Sequence, residues 1–435
     1  MGHPAEEEVF AMRVGIDGSC LANRRGFGRF ARQVLDALAD VPNPHEIVVF
    51  IDRPSAATAS VPACFETVLV DVGEAPTNAA SATGRRRVRD MFSMGKAVAN
   101  AGIDLIYFPA TYTFFPVWNV KHVVVTMHDT LALAHPELVF PTWQGRLSWM
   151  LKEHAAACWA DRIVTVSESA RLDLIAWFRL PAEKICVVSE GPGAEFRPRP
   201  RGPESDAVLA RYGLESGSRY VLYVGGLSPH KNLSRLIEAF AAAAPADVRL
   251  VLVGDTGDVF HTHVPELRAA VERFGLDGRV LFTGFVPDED LAYLYSRAYV
   301  LAHPSLMEGF GLPPVEAMAC GTPVISSTAG SLPEVVGDAG LFFDPTDVGA
   351  IARAVRRIFE DPAARDELAR TAFRRAAQFT WSNSARALLA AFGEFDPGWD
   401  PRHTESILHL SHRSSRSPRG EAWDLVEAKL PASEH

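Results

Sequence analysis

The stretch HPSLMEGFGLPPVEAMACGTPVISST, residues 303–328, decides the fold prediction. It contains a glycine-rich turn, a short helix that begins at Pro313-Pro314, and an apolar strand after it. Backbone amides that open onto a helix N-terminus form an anion site, because the amides and the helix dipole both favour negative charge. Glu308 precedes the turn and Glu316 follows eight positions later. Backbone amides would bind phosphates, and the two carboxylates would bind hydroxyl groups. The stretch therefore predicts a site for a sugar carried on a phosphate.

The short helix around Glu316 is apolar on all sides, since its neighbours include Val315, Ala317 and Met318. A glutamate in such a helix is often only its solvated face. The apolar surroundings instead predict a buried helix, and a buried carboxylate needs hydrogen-bonding partners. Glu316 is therefore interpreted as a ligand-binding residue.

Composition limits the classes of protein to which the chain can belong. A chain of 435 residues predicts two domains, and the formal net charge of −10 argues against nucleic acid as the main partner. Five scattered cysteines without a C-x-x-C pair fit a reduced, cytoplasmic compartment. The N-terminal MGHPAEEEVF lacks the apolar run of a signal peptide, and no stretch is long and apolar enough to span a membrane.

Short apolar strands alternate with longer amphipathic segments along the chain. Uninterrupted Val/Ile/Leu runs suit parallel strands buried on both faces, and the spacing suits βαβ units. The first half has predicted strands at 13–18, 47–51, 67–72, 104–109, 122–128, 162–166 and 185–189, and helices at 28–38, 86–100, 142–159 and 168–178. The second half has strands at 220–224, 249–253, 280–283, 299–303, 323–327 and 341–343, and helices at 233–243, 265–274, 288–297, 348–359, 363–377 and 382–392. The pattern predicts two α/β domains, each with a doubly wound parallel sheet.

A proline-rich segment, GPGAEFRPRPRG at 191–202, separates the two halves and predicts an interdomain linker. The predicted division is a first domain at 1–190, a linker at 191–204, a second domain at 205–395, and a tail at 396–435 without a fixed fold. A short amphipathic helix is predicted at 421–429. In open α/β sheets ligands bind at the carboxyl ends of the strands, so the site is expected in the cleft between the domains.

Two further glycine turns each follow the first strand of a predicted domain. Gly26 and Gly28 form a G-x-G turn that is either a phosphate-binding turn or only a tight turn, and a full dinucleotide fingerprint is absent. Gly225 and Gly226 precede Lys231 at the start of a helix. A cation there opposes the helix dipole unless an anion lies in front of it. Lys231 is therefore predicted to bind phosphate.

Polar residues end the strand at 122–128, where His128 and Asp129 face the predicted cleft. The near-neutral pKa of histidine lets His128 donate or accept a hydrogen bond to a substrate hydroxyl. The alternative is that His128 caps the strand end or bonds the next loop. The sequence leaves both open.

Two charged segments have simpler explanations than catalysis. Asp288-Glu289-Asp290 resembles the D-x-D of metal-dependent sugar transferases, but it opens a helix, where acidic residues stabilise the N-terminus. We expect no metal there. The basic cluster at 85–89 is either a solvated face or a contact for anionic lipid or acceptor.

Taken together, residues 14–390 resemble the large retaining glycosyltransferase family 4, whose members have the GT-B fold. The most specific match is the E-x7-E motif from Glu308 to Glu316. Supporting matches are GGLSPHKN at 225–232, GFV at 284–286 and SLPEV at 331–335. The resemblance implies a nucleotide-diphosphate sugar bound to the second domain at the cleft, with the acceptor on the side of the first domain.

The resemblance also implies a role for each matching position. Glu316 would hold the ribose hydroxyls, Glu308 the donor sugar hydroxyls, and Lys231 the diphosphate. Backbone amides of two loops would bind the phosphates, His128 would face the sugar, and Val286 would contact the base. The loop positions are Gly225, Gly226, Phe310, Gly311 and Leu312, with Gly26 and Gly28 approaching the phosphates from the first domain.

One position departs from the pattern: many relatives have an arginine where this chain has Gly226. The missing phosphate-binding cation would have to come from elsewhere, with Arg24, Arg25 and His230 as candidates. The pattern as a whole resembles mannosyltransferase-like members that use GDP-mannose. No carboxylate stands out as a nucleophile, and attack from the same face, assisted by the leaving phosphate, would retain the anomeric configuration without a metal or other cofactor.

The expected product is a glycan or glycolipid, made in the cytoplasm or at the inner face of the membrane by peripheral contact. Three alternatives stay open. One is another GT-B enzyme, such as a nucleotide-sugar epimerase or a glycogen-type phosphorylase. The second is a non-catalytic nucleotide-sugar-binding protein, to which Gly226 points. The third is a nicotinamide-dependent oxidoreductase, which the glycine spacing disfavours.

Overall fold

Two parallel β-sheets organise the chain, as the alternation of strands and helices predicts. The computed structural model describes residues 11–23, 26–73, 87–140, 142–255 and 263–398. The first sheet has seven strands, in the order β3-β2-β1-β4-β5-β6-β7, and the second has six, in the order β10-β9-β8-β11-β12-β13. All described strand pairs are parallel. The predicted fold class is confirmed.

The strands lie close to their predicted positions. Those of the first sheet are β1 Arg13–Asp17, β2 Glu46–Asp52, β3 Glu66–Val70, β4 Leu105–Phe108, β5 His122–Thr126, β6 Arg162–Thr165 and β7 Ile185–Val187. Those of the second are β8 Tyr220–Val224, β9 Arg249–Val253, β10 Val280–Gly284, β11 Val300–His303, β12 Val324–Ser327 and β13 Gly340–Phe343. Central strands such as β8, YVLYV, are buried at every residue, as helices on both faces require.

Helices connect the strands and cover both sheets. With the first sheet are α1 Gly26–Asp40, α2 Arg53–Ala56, α3 Val88–Asn100, α4 Leu131–Ala134, α5 Pro136–Val139, α6 Trp143–Trp159 and α7 Glu168–Phe178. The remaining helices are α8 Pro203–Arg211, α9 Leu233–Ala243, α10 Val264–Arg273, α11 Asp288–Arg297, α12 Leu312–Ala319, α13 Leu332–Val336, α14 Val348–Glu360, α15 Pro362–Ala376 and α16 Trp381–Gly393. No helix among the described residues is long and apolar enough to cross a bilayer.

Strand order reverses once in each sheet, next to β1 in the first and next to β8 in the second. Ligands of open α/β sheets bind beside such reversals, at the carboxyl ends of the strands. The loops that follow β5, β8 and β11 carry His128, the Gly225-Gly226 turn with Lys231, and Glu308. After β1, Gly26 and Gly28 lie in the first turn of α1 rather than in the turn that was predicted before the helix. The topology therefore places the motifs of both halves at the strand edge where ligands bind.

The last helix crosses back to the first sheet's side of the molecule. In α16 the ring of Trp381 packs 5.9 Å from that of Phe30 in α1, and Phe392 packs 5.5 Å from Tyr107 in β4. The domain boundaries remain a prediction. The structure adds that the end of the segment predicted as second domain packs on the first.

Two helices of the second half, α13 and α8, were not predicted; α8 was missed because the linker was interpreted as continuing to residue 204. Its sequence carries a start signal: Pro203 occupies the first turn, and Glu204 and Asp206 lie beside it, where acidic residues favour the dipole. The predicted tail lies mostly outside the described residues, as does the helix expected at 421–429.

Candidate active site

A cavity of about 480 Å³ lies between the two domains and brings together residues distant in sequence. Its size is typical of pockets that hold small-molecule ligands. Eight predicted site residues line it: Gly26, Gly225, Gly226, Lys231, Val286, Glu308, Leu312 and Glu316. Gly28, His128, Phe310 and Gly311 do not line it.

Glu308 and Lys231 form a largely buried ion pair in the wall of the cavity. The Lys231 Nζ donates to Glu308 Oε1 at 2.7 Å, and Ser305 Oγ donates to the same oxygen at 2.6 Å. The Nε2 of His303 donates to it at 2.8 Å. The anion in front of Lys231, which the mismatch with the helix dipole predicts, is thus a carboxylate of the protein itself.

These donors decide the charge of Glu308. Burial alone would raise the pKa of its carboxyl, but Lys231 and His303 outweigh burial and hold the pKa well below its usual range. Glu308 is therefore an anion near neutral pH. A carboxylate in that state accepts hydrogen bonds from hydroxyl groups and does not donate them.

Two glycines shape the loop between Glu308 and Glu316. A Cβ on Gly309 would come within 2.4 Å of the carbonyl oxygen of His128, so only glycine lets this loop approach the first domain so closely. Gly311 has φ 106°, which favours glycine, and it precedes α12. Pro313 and Pro314 lack N–H groups, so fewer amides are available at this helix start than at most.

Glu316 is buried in α12, as its apolar neighbours predict, and both carboxylate oxygens have partners. The Nη1 of Arg29, which comes from α1, donates to Oε1. The hydroxyl of Tyr295 donates to Oε2 at 2.8 Å. Burial raises the pKa of Glu316, against the opposing effects of Arg29 and Tyr295.

Two aspartates in the acidic segment at the start of α11 pair with arginines. The Nη2 of Arg29 donates to Asp288 Oδ1. Asp290 accepts from Arg211 Nη2 and from the hydroxyl of Tyr212, each at 2.7 Å. The carboxylates that sequence analysis compared with D-x-D therefore serve as ion-pair partners here.

The prediction that His230 could supply the missing phosphate-binding cation is wrong. Burial, with the neighbouring charge of Lys231, lowers the pKa of its imidazole to about 3. The ring is therefore neutral near pH 7 and supplies no positive charge. Arg24 and Arg25, the other two candidates, lie outside the described residues.

Gly28 and Phe310 have structural contacts that do not involve the cavity. A Cβ on Gly28 would fall 1.8 Å from the carbonyl oxygen of Asn23, so the close approach predicted for this glycine is to the chain's own backbone. Phe310 is buried against Phe379, with ring centroids 5.6 Å apart. Their predicted phosphate contacts remain predictions.

His128 lies behind the large cavity rather than in its wall. Its Nε2 donates to the carbonyl oxygen of Pro109 at 3.0 Å, and its ring packs 4.9 Å from Phe27 and 4.8 Å from Phe30. Pro109 follows β4, the neighbouring strand, so this bond is neither a cap of β5 nor a bond to the next loop of the chain. The substrate contact of His128 stays a prediction.

A second, smaller cavity adjoins the first, shares Phe27, Asp129 and Trp149 with it, and holds Glu153 of α6. Glu153 is buried, and its Oε1 accepts from Thr111 Oγ1 at 2.6 Å. Burial, partly offset by that bond and reinforced by the charge of Asp129, raises the pKa of Glu153 to about 7. Sequence analysis did not identify this carboxyl.

Replacing Glu153 by glutamine is expected to remove a pH-dependent loss of stability. Between its ordinary pKa of about 4.3 and about 7, the folded chain holds a proton that the unfolded chain has lost. The free energy of unfolding of the wild type therefore falls as pH rises, by about 1.4 kcal/mol per unit and about 4 kcal/mol over the whole interval.

Urea unfolding at pH 5 and pH 8 measures this difference. The loss between the two pH values should be smaller in Glu153→Gln than in the wild type, whereas the exposed Glu183→Gln should match the wild type. Equal losses in Glu153→Gln and the wild type would show that Glu153 does not bind this proton.

Arg29 and Phe285 are among the cavity-lining residues that were not predicted from the sequence. Arg29 lies in the first turn of α1, where a cation opposes the helix dipole. This is the same signal that singled out Lys231, and it marks Arg29 as a candidate site residue. Phe285 follows β10 and is 62% exposed beside Val286, and an exposed ring in a glycine-flanked loop is a signal for a binding surface.

Two family models match this chain. A family model described as Glycosyl transferases group 1 matches residues 205–375, and one described as Glycosyltransferase Family 4 matches residues 24–192. O-antigen chain mannosyltransferase B of Escherichia coli is 36% identical over 287 residues, covering 64% of this chain and 72% of that protein. Serotype-specific mannosyltransferase WbdA of Escherichia coli is 28% identical, covering 92% of this chain but 51% of its own length. The chain thus spans about half of that relative.

Among solved structures, Anabaena HepE in complex with UDP and glucose superposes with a TM-score of 0.68. The match covers 88% of this chain and 100% of HepE at 21% sequence identity. At that identity the similarity shows a shared GT-B fold.

Proposed function

Because this chain belongs to the group 1 glycosyltransferases of family 4 and is a hexosyltransferase, we propose that it uses a nucleotide-diphosphate sugar as donor. The sugar, mannose in the first instance, would pass to a hydroxyl of a glycan or lipid-linked acceptor with retained anomeric configuration. The observation that carries the proposal is the single cavity in which the Lys231–Glu308 pair, Glu316 and two glycine turns meet.

Each end of the donor has a matching group in the cavity wall. Glu316 would accept hydrogen bonds from the ribose hydroxyls, and Glu308, an anion, from hydroxyls of the sugar. Lys231 lies within hydrogen-bonding distance of Glu308, so its ammonium group would meet the diphosphate next to the sugar. Amides near Gly225, Gly226, Gly311 and Leu312 would complete the phosphate site, and Val286 would contact the base, with Phe285 beside it.

The chemical barrier is departure of the diphosphate from the anomeric carbon. As the C1–O bond breaks, negative charge grows on the leaving phosphate, where Lys231 stabilises it by preorganised electrostatics. The acceptor hydroxyl attacks C1 from the same face, and its proton passes to the departing phosphate oxygen. The new glycosidic bond therefore replaces the old one on the same side of the ring.

The donor remains to be identified by experiment. Two relatives are named mannosyltransferases, which favours mannose, whereas HepE was solved with UDP and glucose. A thermal-shift screen of GDP, GDP-mannose, UDP and UDP-glucose is the direct test, since a ligand of the folded state raises its stability by mass action. We expect GDP-mannose to raise the melting temperature, and the shift to persist in EDTA because no metal is proposed.

Product analysis completes the test. Incubation of the bound donor with and without candidate acceptors separates transfer from epimerisation and phosphorolysis. Binding without turnover across acceptors would instead support a non-catalytic protein, and the absence of a shift with every nucleotide sugar would overturn the proposal.

We propose further that the enzyme acts in the cytoplasm, at the inner face of a membrane. Exposed Trp143, Leu147 and Leu151 recur every four residues on one face of α6, and exposed Arg146 lies among them. An apolar stripe with basic residues suits the surface of an anionic bilayer. The basic cluster at 85–89 lies partly outside the described residues.

Co-sedimentation with phosphatidylglycerol vesicles should retain the wild-type protein and lose the double variant Leu147→Glu, Leu151→Glu. Leu172→Glu, an equally exposed leucine on α7, serves as the matched control. Equal sedimentation of all three proteins would contradict the proposed contact with lipid.

A further inference from the structure

Arg29 joins the two domains at the nucleoside end of the cavity. It lies in α1 of the first domain, yet its guanidinium donates to Glu316 in α12 and to Asp288 in α11. The guanidinium carbon lies over the ring of Phe196, 5.6 Å from its centroid. Arg29 is therefore a first-domain side chain that bonds two second-domain carboxylates, in a cavity whose wall both domains supply.

The hydrogen bonds at Glu316 leave room for a diol. A carboxylate offers about four lone-pair positions. Arg29 uses one on Oε1, and Tyr295 uses one on Oε2. Two positions remain on a carboxylate that lines the cavity, which is the number that the 2′- and 3′-hydroxyls of a ribose require.

Charge makes Glu316 dependent on Arg29. The titratable groups that act on its carboxyl are Arg29, Tyr295, Asp288 and Glu195, and burial raises its pKa further. Of the four, Arg29 and Tyr295 favour the anion, whereas the two acidic residues oppose it. Without the guanidinium, the pKa of Glu316 would be higher. A protonated carboxyl has fewer positions that accept hydrogen bonds.

We propose that Arg29 is a positioning residue that holds the Glu316 carboxylate in place for the ribose diol, so that preference for ribonucleotides depends on a first-domain side chain. The inference rests on the proposed function, in which Glu316 binds the ribose. It also makes the nucleotide site complete only when the two domains contact each other.

The test compares a ribonucleotide with its 2′-deoxy counterpart. Isothermal titration calorimetry would measure the Kd of GDP against 2′-deoxy-GDP, and of UDP against 2′-deoxy-UDP, at pH 6 and pH 8. For the wild type we expect the cognate ribonucleotide to bind about 10- to 100-fold more tightly, as expected for one lost hydrogen bond to a charged group.

Arg29→Met keeps the side-chain length but loses the charge. In this variant the ratio of the 2′-deoxy Kd to the ribonucleotide Kd should fall to within about threefold of unity, because most of the hydrogen-bond effect is lost. Ribonucleotide affinity should also decrease from pH 8 to pH 6 in this variant, because Glu316 becomes protonated. Arg29→Lys keeps the charge and should recover part of the preference. Arg211→Met removes the arginine paired with neighbouring Asp290 and should match the wild type.

An unchanged ratio in Arg29→Met, with circular dichroism showing a folded protein, would overturn this inference alone. Tighter ribonucleotide binding by that variant would also overturn it, since Arg29 would then compete with the ribose. If Arg29→Met does not fold, the ratio in Arg29→Lys decides: a ratio between unity and the wild-type value supports the inference, and a wild-type ratio overturns it. Failure of the wild-type protein to bind any of the nucleotides would overturn the proposed function as well.

Discussion

Replacing Lys231 by alanine is expected to slow glycosyl transfer by about 100- to 1,000-fold, the effect of removing one preorganised donor to a developing oxyanion. Lys231 Nζ lies 2.7 Å from Glu308 Oε1 in the cavity wall, where solvent screens its charge poorly. The loss should fall mainly on kcat, because charge on the diphosphate grows as the bond to the sugar breaks. The fold should persist, since Glu308 keeps its bonds from His303 and Ser305.

The measurement is release of the nucleoside diphosphate from the donor that the thermal-shift screen identifies. Lys121→Ala is the matched control, because Lys121 also pairs with a carboxylate, Asp104, at 2.7 Å but on the exposed surface. A turnover of Lys231→Ala within tenfold of wild type would remove Lys231 from the proposed mechanism.

Replacing Glu308 by glutamine should affect both catalysis and stability. The amide nitrogen presents a donor where the carboxylate accepts hydroxyls, so we expect transfer to fall by about 100-fold or more. The change also leaves the largely buried ammonium of Lys231 without its counter-charge. Loss of one partner of a buried pair destabilises a protein by about 3–5 kcal/mol, and the partial exposure of both side chains places the expected loss below that range.

A double variant separates the two effects. Lys231→Met with Glu308→Gln removes both charges, so its free energy of unfolding should exceed the value expected from adding the two single losses. Its transfer rate should stay as low as that of the slower single variant. Glu289→Gln, an exposed glutamate beside Asp288, should resemble the wild type in both measurements. Additive stability losses would show that the two side chains are not energetically coupled.

Local sequence was sufficient to predict most strands, many of the helices and several of the residues that line the cavity. Buried parallel strands need uninterrupted apolar runs, so β8 and β9 were predicted with their observed bounds. The bounds of the amphipathic helix α9 were also predicted as observed. The E-x7-E segment likewise carries its own turn, helix start and buried carboxylate. Such features depend on neighbours within a few residues, which is why they can be predicted from the chain alone.

Partners across the domains could not be predicted in this way. Nothing within α1 indicates that Arg29 meets Glu316, 287 residues away, or that Asp288 shares its guanidinium. His128 shows the same limit: its strand end was located, but the ring bonds the carbonyl of Pro109 because Phe27 and Phe30 pack on it. The packing of α16 on α1 is a third contact between segments far apart in sequence.

The amino-acid sequence by itself determined two doubly wound sheets, a cleft, and a carboxylate at each end of the E-x7-E loop, since periodicity and glycine spacing are local properties. Tertiary structure alone decided the partner and the charge of those carboxylates. Lys231 holds Glu308 as an anion, and Arg29 of the other domain bonds Glu316. The physical reason is that the pKa and orientation of a buried group depend on the charges within a few ångströms, and folding brings those charges from distant segments.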